Sequence, residues 1–207
     1  MSAAIDIDLP QPLQSRSLKT QQSFIEAGWA ILREQSWETI SITAIAQRAG
    51  RSVGVFYQRF SSKNDFLTVL LNRWIEENYA AMDMAPKAET PRALISWYLD
   101  ETFQRIKINR YLWRAALQRA IDDPASWDPF RKMGTRRREF LAEHLTILGG
   151  RPLNEGERHR LDLAVQVFNS VINNALLNDP GPLRVDQAEF LPTLEGIFHT
   201  VAAFEFD

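Results

Sequence analysis

Four basic side chains, Arg48, Arg51, Arg59 and Lys63, fall between Ser41 and Asn64, and no acidic residue interrupts them. The whole chain has a formal net charge of −2, so this local surplus of +4 (four basic, zero acidic) stands out against its background. Such a patch suits phosphates. A duplex presents one negative charge about every 1.7 Å of its axis, and neutralising those charges supplies most non-specific affinity. Among the cations sit groups that can read a groove. Ser41, Thr43, Ser52, Gln58 and Arg59 can hydrogen-bond, Val53 and Val55 offer methyl groups to thymine or sugar, and Gly54 lets a backbone approach closely. On this reading Gln58 and Arg59 carry most of the hydrogen-bond readout, Tyr57 and Lys63 hold phosphates, and Arg51 adds a phosphate contact.

The elements that position these groups are legible in the spacing. Ile42, Ile45 and Ala46 lie at i, i+3 and i+4, one face of a short helix. Gly50 ends that helix where the chain needs φ > 0. Ser52 caps a following helix, about Val53–Arg59, by accepting from an orphan N–H. Phe56 and Phe60, four apart, are expected to face the first helix of the pair, with Ala46 small where the two cross. The pattern is a helix-turn-helix followed by the start of another helix. The plain alternative is a helical hairpin with a solvated basic face.

These residues resemble the N-terminal domain of the tetracycline-repressor (TetR) family of bacterial transcriptional regulators. The family pattern runs roughly T-V-x-x-I-A-x-x-A-G-V-S-x-G-x-x-Y-x-x-F-x-S-K. The chain matches it at Ile45, Ala46, Ala49, Gly50, Ser52, Gly54, Tyr57, Phe60, Ser62 and Lys63. Residues 16–40 fit the family's first helix, with Phe24, Ile25, Trp29 and Leu32 as its buried stripe, so the resemblance covers roughly residues 16–80. Three positions depart from the pattern. Arg51 replaces a valine and must point outward or tilt the turn, Ser36 replaces a helix-closing glycine, and Ile40 replaces a polar residue. The resemblance implies a homodimeric, ligand-responsive repressor released from a palindromic operator by a small apolar or aromatic effector, with no cofactor.

Composition bounds the remainder. The 207 residues, 45% hydrophobic and 11% aromatic, suffice for one sizeable core and a small extra domain. Cysteine is absent, which suits a reducing cytoplasm, and no apolar run approaches the ~20 residues of a membrane span. The first fourteen residues are acidic and proline-containing, unlike a secretory signal. The expected organisation is a disordered arm over 1–15, a helix-turn-helix domain over 16–62, and an effector-binding and dimerisation domain over 63–207.

Past the motif, helix signals recur and no strand-like alternation persists. Ser62 with Asp65 opens a helix to about Met82, and Thr90-Pro91 pairs an N-cap with an N1 proline for a helix to about Lys107. Further helices are expected over Asn109–Ile121 and 126–148. Asn154 with Glu157, and Asp186 with Glu189, read as capping boxes for the last two. The fold class is all-α, with about nine helices.

The last two helices are apolar on more than one stripe, so each must bury more than one side. Phe168, Val171, Ala175, Leu194, Phe198 and Val201 are the expected dimer interface, a fully internal position in a monomer being the alternative. Trp97, Phe103, Trp113 and Phe130, with Tyr111, Trp127 and Phe168, supply aromatic surface for an effector pocket, although helical spacing suits plain core equally. Gln166, Asn169 and Asn173 form a polar stripe for which ligand contact, an inter-subunit hydrogen bond and solvent exposure all stay open. His144, His159 and His199 have no metal-ligand spacing, and no phosphate loop or nucleophile elbow occurs. Arg131-Lys132 and Arg136-Arg137-Arg138, with Asp128, Glu139 and Glu143 nearby, read as a solvated helix face. Rival readings are a helical enzyme with an aromatic pocket, for which no acid/base pair is evident, and an interaction module keeping the motif as scaffold.

Overall fold

The computed structural model describes residues 15–82 and 88–204. The arm expected over 1–15 therefore lies outside them, apart from Ser15, which opens α1. Nine helices appear among the described residues: α1 Ser15–Leu32, α2 Ile42–Arg48, α3 Val53–Tyr57, α4 Lys63–Met82, α5 Pro91–Ile108, α6 Arg110–Asp122, α7 Asp128–Gly149, α8 Glu155–Asn178 and α9 Phe190–Ala202. Single 3-10 turns, Trp37–Thr39 and Pro124–Trp127, precede α2 and α7. No strand occurs among the described residues, and no helix there is long and apolar enough to cross a membrane.

The helices form two compact units. One comprises the described residues up to Tyr79 with Tyr111–Pro129; the other comprises Ala80–Arg110 with the described residues from Phe130 onward. The first unit thus reaches beyond residue 62, because the α4 side chains that follow are part of its core. Phe24, Phe56, Phe60 and Phe66 are all fully buried. Phe24 meets Phe56 and Phe60 edge-on, at 5.5 and 5.9 Å, and Phe66 lies 5.4 Å from Phe56 and 4.7 Å from Phe60. Phe56 and Phe60 therefore bind their helix pair to α1 and α4. The buried stripe of α1 is Phe24, Ala27, Ile31 and Leu32, while Ile25 and Trp29 are half-exposed. Gly28 explains the rotation: a Cβ there would lie 2.8 Å from the Phe66 ring, so α1 meets α4 across a bare backbone.

Beyond that cluster, Trp74 packs on Trp113 at 5.1 Å and Trp113 on Trp127 at 5.3 Å. Arg119 donates to the Thr68 hydroxyl and to the Asn64 carbonyl. These contacts join α6 to α4 within the first unit. Ser36 needs no left-handed backbone. It sits at φ −73°, ψ 149°, where any residue is comfortable, since the chain leaves α1 through a turn at 33–35.

In the second unit, Thr90 accepts from the Ala93 N–H and Pro91 occupies the first turn of α5. Asn154 and Glu157 form the reciprocal capping box of α8, and Arg151 grips the Glu157 carboxylate through two hydrogen bonds of 2.7 and 2.8 Å. Arg160, near the start of α8, donates to the carbonyl of Ala202 at the end of α9, which makes the pair antiparallel. Phe168, Ile172, Phe190, Leu194 and Phe198 close the core around them, with Phe103 of α5 stacked 5.4 Å from Phe190.

The expected capping box at Asp186 and Glu189 does not form. Gln187 accepts from the Arg184 N–H instead, Asp186 pairs with Arg110, and α9 starts at Phe190 without a side-chain cap. The tertiary ion pair takes the Asp186 carboxylate that the box would need.

Candidate nucleic-acid interface

Two serines set the helix starts. Ser41 Oγ accepts from the Ala44 N–H at 3.0 Å and Ser52 Oγ from the Val55 N–H at 3.3 Å, satisfying donors that a helix N-terminus leaves orphaned. Between them Gly50 adopts φ 64°, and the Arg51 N–H donates back to the Ala46 carbonyl at 2.9 Å. The Arg51 side chain is exposed, so it points outward without disturbing the turn. The helix after Ser52 ends at Tyr57, two residues before Arg59, because the N–H groups of Arg59 and Phe60 both turn back to the Phe56 carbonyl.

Within α3 only Phe56 is buried. Gly54 and, just past the helix, Gln58 are exposed, Val53 and Val55 are half-buried, and Tyr57 is 53% exposed. Ser41, Arg51 and Ser52 are exposed on the flanking turns, and Thr43 is exposed in the first turn of α2. The motif therefore presents a polar, methyl-bearing outer surface on one hydrophobic anchor.

Two expected contact residues already have protein partners. Arg59 Nη1 donates to Ser17 Oγ of α1 at 2.5 Å, and its Nε is buried without a partner. Lys63 Nζ donates to the Trp37 carbonyl at 2.7 Å and lies 4.6 Å over the Trp37 ring. Burial lowers the Lys63 pKa from its ordinary value, against the opposing pull of Glu38. Arg48 pairs with Glu34 at 3.1 Å, so acidic residues from before the motif temper its local charge. Sequence spacing inside the motif carries no sign of these partners, which lie 14 to 42 positions away.

The expected effector residues are not gathered into one site. Trp113 belongs to the first unit, between Trp74 and Trp127. In the second unit Phe103 stacks on Phe190, Phe130 is buried, and Trp97 lines a cavity with Phe140. Gln166 is exposed; Asn169 and Asn173 are half-buried. The expected interface residues Phe168, Ala175, Leu194 and Phe198 are buried within the chain itself. Val171 and Val201 remain partly exposed, beside Leu163 and Ile197 at 43% and 38%. Arg137 is also not on a solvated face. It is buried against Glu101 at 2.8 Å, whereas its neighbours Arg136 and Arg138 pair with Glu139 and Asp162.

Residues 24–70 match the model of the bacterial regulatory proteins of the tetR family. Over 54 residues the chain is 43% identical to the uncharacterized HTH-type transcriptional regulator YwcC of Bacillus subtilis (strain 168); the match covers 26% of this chain and 24% of that one. The chain thus spans about a quarter of the length of the curated relative it matches. Among solved structures, a TetR transcriptional regulator from Rhodococcus sp. RHA1 superposes with TM-score 0.60 at 18% identity, over 93% of this chain and 99% of that one. Salmonella enterica GusR does so with TM-score 0.56 at 13% identity, over 94% and 100%. At those identities the structural likeness speaks for the fold, and the segment match speaks for the motif. Residues 24–70 thus carry the N-terminal motif of the tetR family of bacterial regulatory proteins, on a fold shared with regulators of that family.

Proposed function

We propose that the chain is a homodimeric repressor that binds a palindromic operator in the cytoplasm and is released from it by a small molecule. One observation carries the reading: α3 hides a single side chain, Phe56, and leaves Gly54, Tyr57 and the adjacent Gln58 outward. A helix that spends one residue on its own core has the remainder free for base edges. Gln58 is the residue for direct readout, since its amide can pair with adenine in two hydrogen bonds. Val53 and Val55 contact thymine methyls or sugar, and Ser41, Thr43, Arg51, Ser52 and Tyr57 hold the backbone. Arg59 and Lys63 join only by exchanging Ser17 and the Trp37 carbonyl for phosphate.

A second copy fits the outer stripe of α8 and α9, where Leu163, Val167, Val171, Ile197 and Val201 are exposed or partly so. Two-fold pairing suits the motif because dimers read half-sites about one helical turn, roughly 34–36 Å, or a multiple of it apart. An effector shifts such a dimer only if it binds the DNA-incompetent state more tightly.

Selection from random duplexes, followed by titration of the winner at several salt concentrations, tests the reading. A palindromic logo, relaxed at one or two base pairs per half-site in Gln58→Ala, is the expected outcome. Recovery of no enriched sequence by the wild-type chain would remove the proposal.

A further inference from the structure

Among the four cations of the motif, Arg59 is held in place with its charge uncancelled. Arg48 is paired with Glu34 at 3.1 Å, Lys63 is held at the Trp37 carbonyl and ring, and Arg51 is exposed at the turn. Arg59 Nη1 donates to Ser17 Oγ at 2.5 Å, and the half-buried side chain has no carboxylate partner among the described residues. Its Nε is buried with no acceptor, so the guanidinium is not saturated. Ser17 lies in the first turn of α1, which carries no acidic residue, and outside the residues 24–70 that match the family model.

The kind of acceptor decides what Arg59 can do next. A guanidinium stays charged in proteins, and it takes phosphate through charge-assisted hydrogen bonds. A carboxylate at position 17 would fix the side chain but cancel its charge, and a phosphate would then have to displace an ion pair. A hydroxyl is neutral. It fixes the guanidinium between the start of α1 and the end of α3 and leaves the full positive charge in place. When a phosphate replaces it on Nη1, Ser17 turns to water, and a neutral hydrogen bond exchanged for one to water is nearly even.

We propose that Ser17 is a positioning residue for duplex binding: it keeps the Arg59 guanidinium ordered and uncancelled, ready for exchange onto a backbone phosphate. Ser17 acts through Arg59, and it brings into the interface a helix that precedes the helix-turn-helix. This role rests on the DNA-binding reading above.

Titration of the full chain with sheared genomic duplex at several salt concentrations reads phosphate contacts irrespective of sequence, and melting of the free chain is followed on the same samples. Ser17→Asp should raise the melting temperature by pairing with Arg59, yet weaken duplex binding about tenfold, the scale of one charge-assisted hydrogen bond. It should also flatten the salt dependence by about one unit, the share of one phosphate, and Arg59→Gln should flatten it equally. Leu18→Asp sets the same charge on the same turn at an exposed position, and should weaken binding less than Ser17→Asp. Ser17→Ala keeps the charge and loses the placement. The guanidinium is then ordered only on binding, so affinity should fall about threefold at the wild-type slope, and Ser17→Thr should restore it. A wild-type slope in Ser17→Asp or in Arg59→Gln, equal weakening by Leu18→Asp, or Ser17→Thr as weak as Ser17→Ala would each overturn the role of Ser17 and leave the DNA-binding reading standing. A wild-type chain that binds no duplex at low salt would overturn both.

Discussion

The helix proposed to read DNA is five residues long, far below the ~12–15 at which an isolated helix becomes marginal in water, so tertiary contacts must hold it. Phe56 is its only buried residue, with Phe24, Phe60 and Phe66 at ring distances of 5.5, 5.0 and 5.4 Å. Truncation of a buried phenylalanine costs about 3–5 kcal/mol, and three buried ring partners place Phe56→Ala near the top of that range. Phe56→Leu keeps most of the apolar volume and loses the ring pairs, worth about 0.5 kcal/mol each at the low end, hence about 1.5 kcal/mol together. Whole domains are stable by only about 5–15 kcal/mol, so the alanine variant approaches unfolding and the leucine variant does not. Urea unfolding followed by indole fluorescence suits the measurement. Five of the six tryptophans (Trp29, Trp37, Trp74, Trp113 and Trp127) lie in the first unit, so the signal follows the unit that is perturbed. Midpoint shifts at constant slope give the free energies, and exposed Gln58→Ala should stay within about 0.5 kcal/mol of wild type. Phe56→Ala within about 1 kcal/mol of wild type, or Phe56→Leu as costly as Phe56→Ala, would refute the claim that this ring cluster holds α3.

Gly50→Ala meets no atom within 4 Å but keeps φ at 64°, so its cost is backbone strain alone, about 1–2 kcal/mol by the same urea assay, and Gly50→Asn should cost less. The Glu157 carboxyl is held at about 2 by the Arg151 hydrogen bonds first and the Asn154 backbone second. A depressed carboxylate pKa stabilises the fold above the ordinary value of 4.5, and that stabilisation is lost as pH falls toward 2. The gap in melting temperature between wild type and Glu157→Gln should therefore be constant above pH 5 and shrink through that window. Val171→Arg places a charge on the exposed stripe of α8, and should give a folded monomer by sedimentation with loss of tight duplex binding. A Val171→Arg chain that remains dimeric would move the interface elsewhere.

What the sequence made legible was whatever depends on neighbours a few positions away. Ser52, Ser62, Thr90 and Asn154 all cap the helices their spacing foretold, and Gly50 takes the left-handed turn. The motif was legible for the same reason. Failures came where a distant group intervened. Asp186 left its capping role for Arg110, 76 positions away. Arg59 and Lys63 bond to Ser17 and Trp37, which motif spacing does not encode. Arg137 lies in a basic run that reads as surface, and its burial depends on Glu101 and Thr102 of another helix. The apolar stripes of α8 and α9 were correctly seen as broad, but only the packed chain shows that Phe168, Leu194 and Phe198 are used internally.

Anchoring α3 through one phenylalanine has a consequence for how such a protein can change. Val53, Gly54, Val55, Tyr57 and Gln58 contribute little to the core, and the cap that starts the helix is made by Ser52 from outside it. If α3 reads bases as proposed, substitutions on the outer face sample new base preferences at small cost to folding, while Phe56 and Ser52 stay fixed. A library varied at positions 53, 54, 57 and 58 should consist mostly of folded members. Recognition of the proposed kind is then a replaceable surface on a constant mount, open to retargeting by duplication and drift or by deliberate selection.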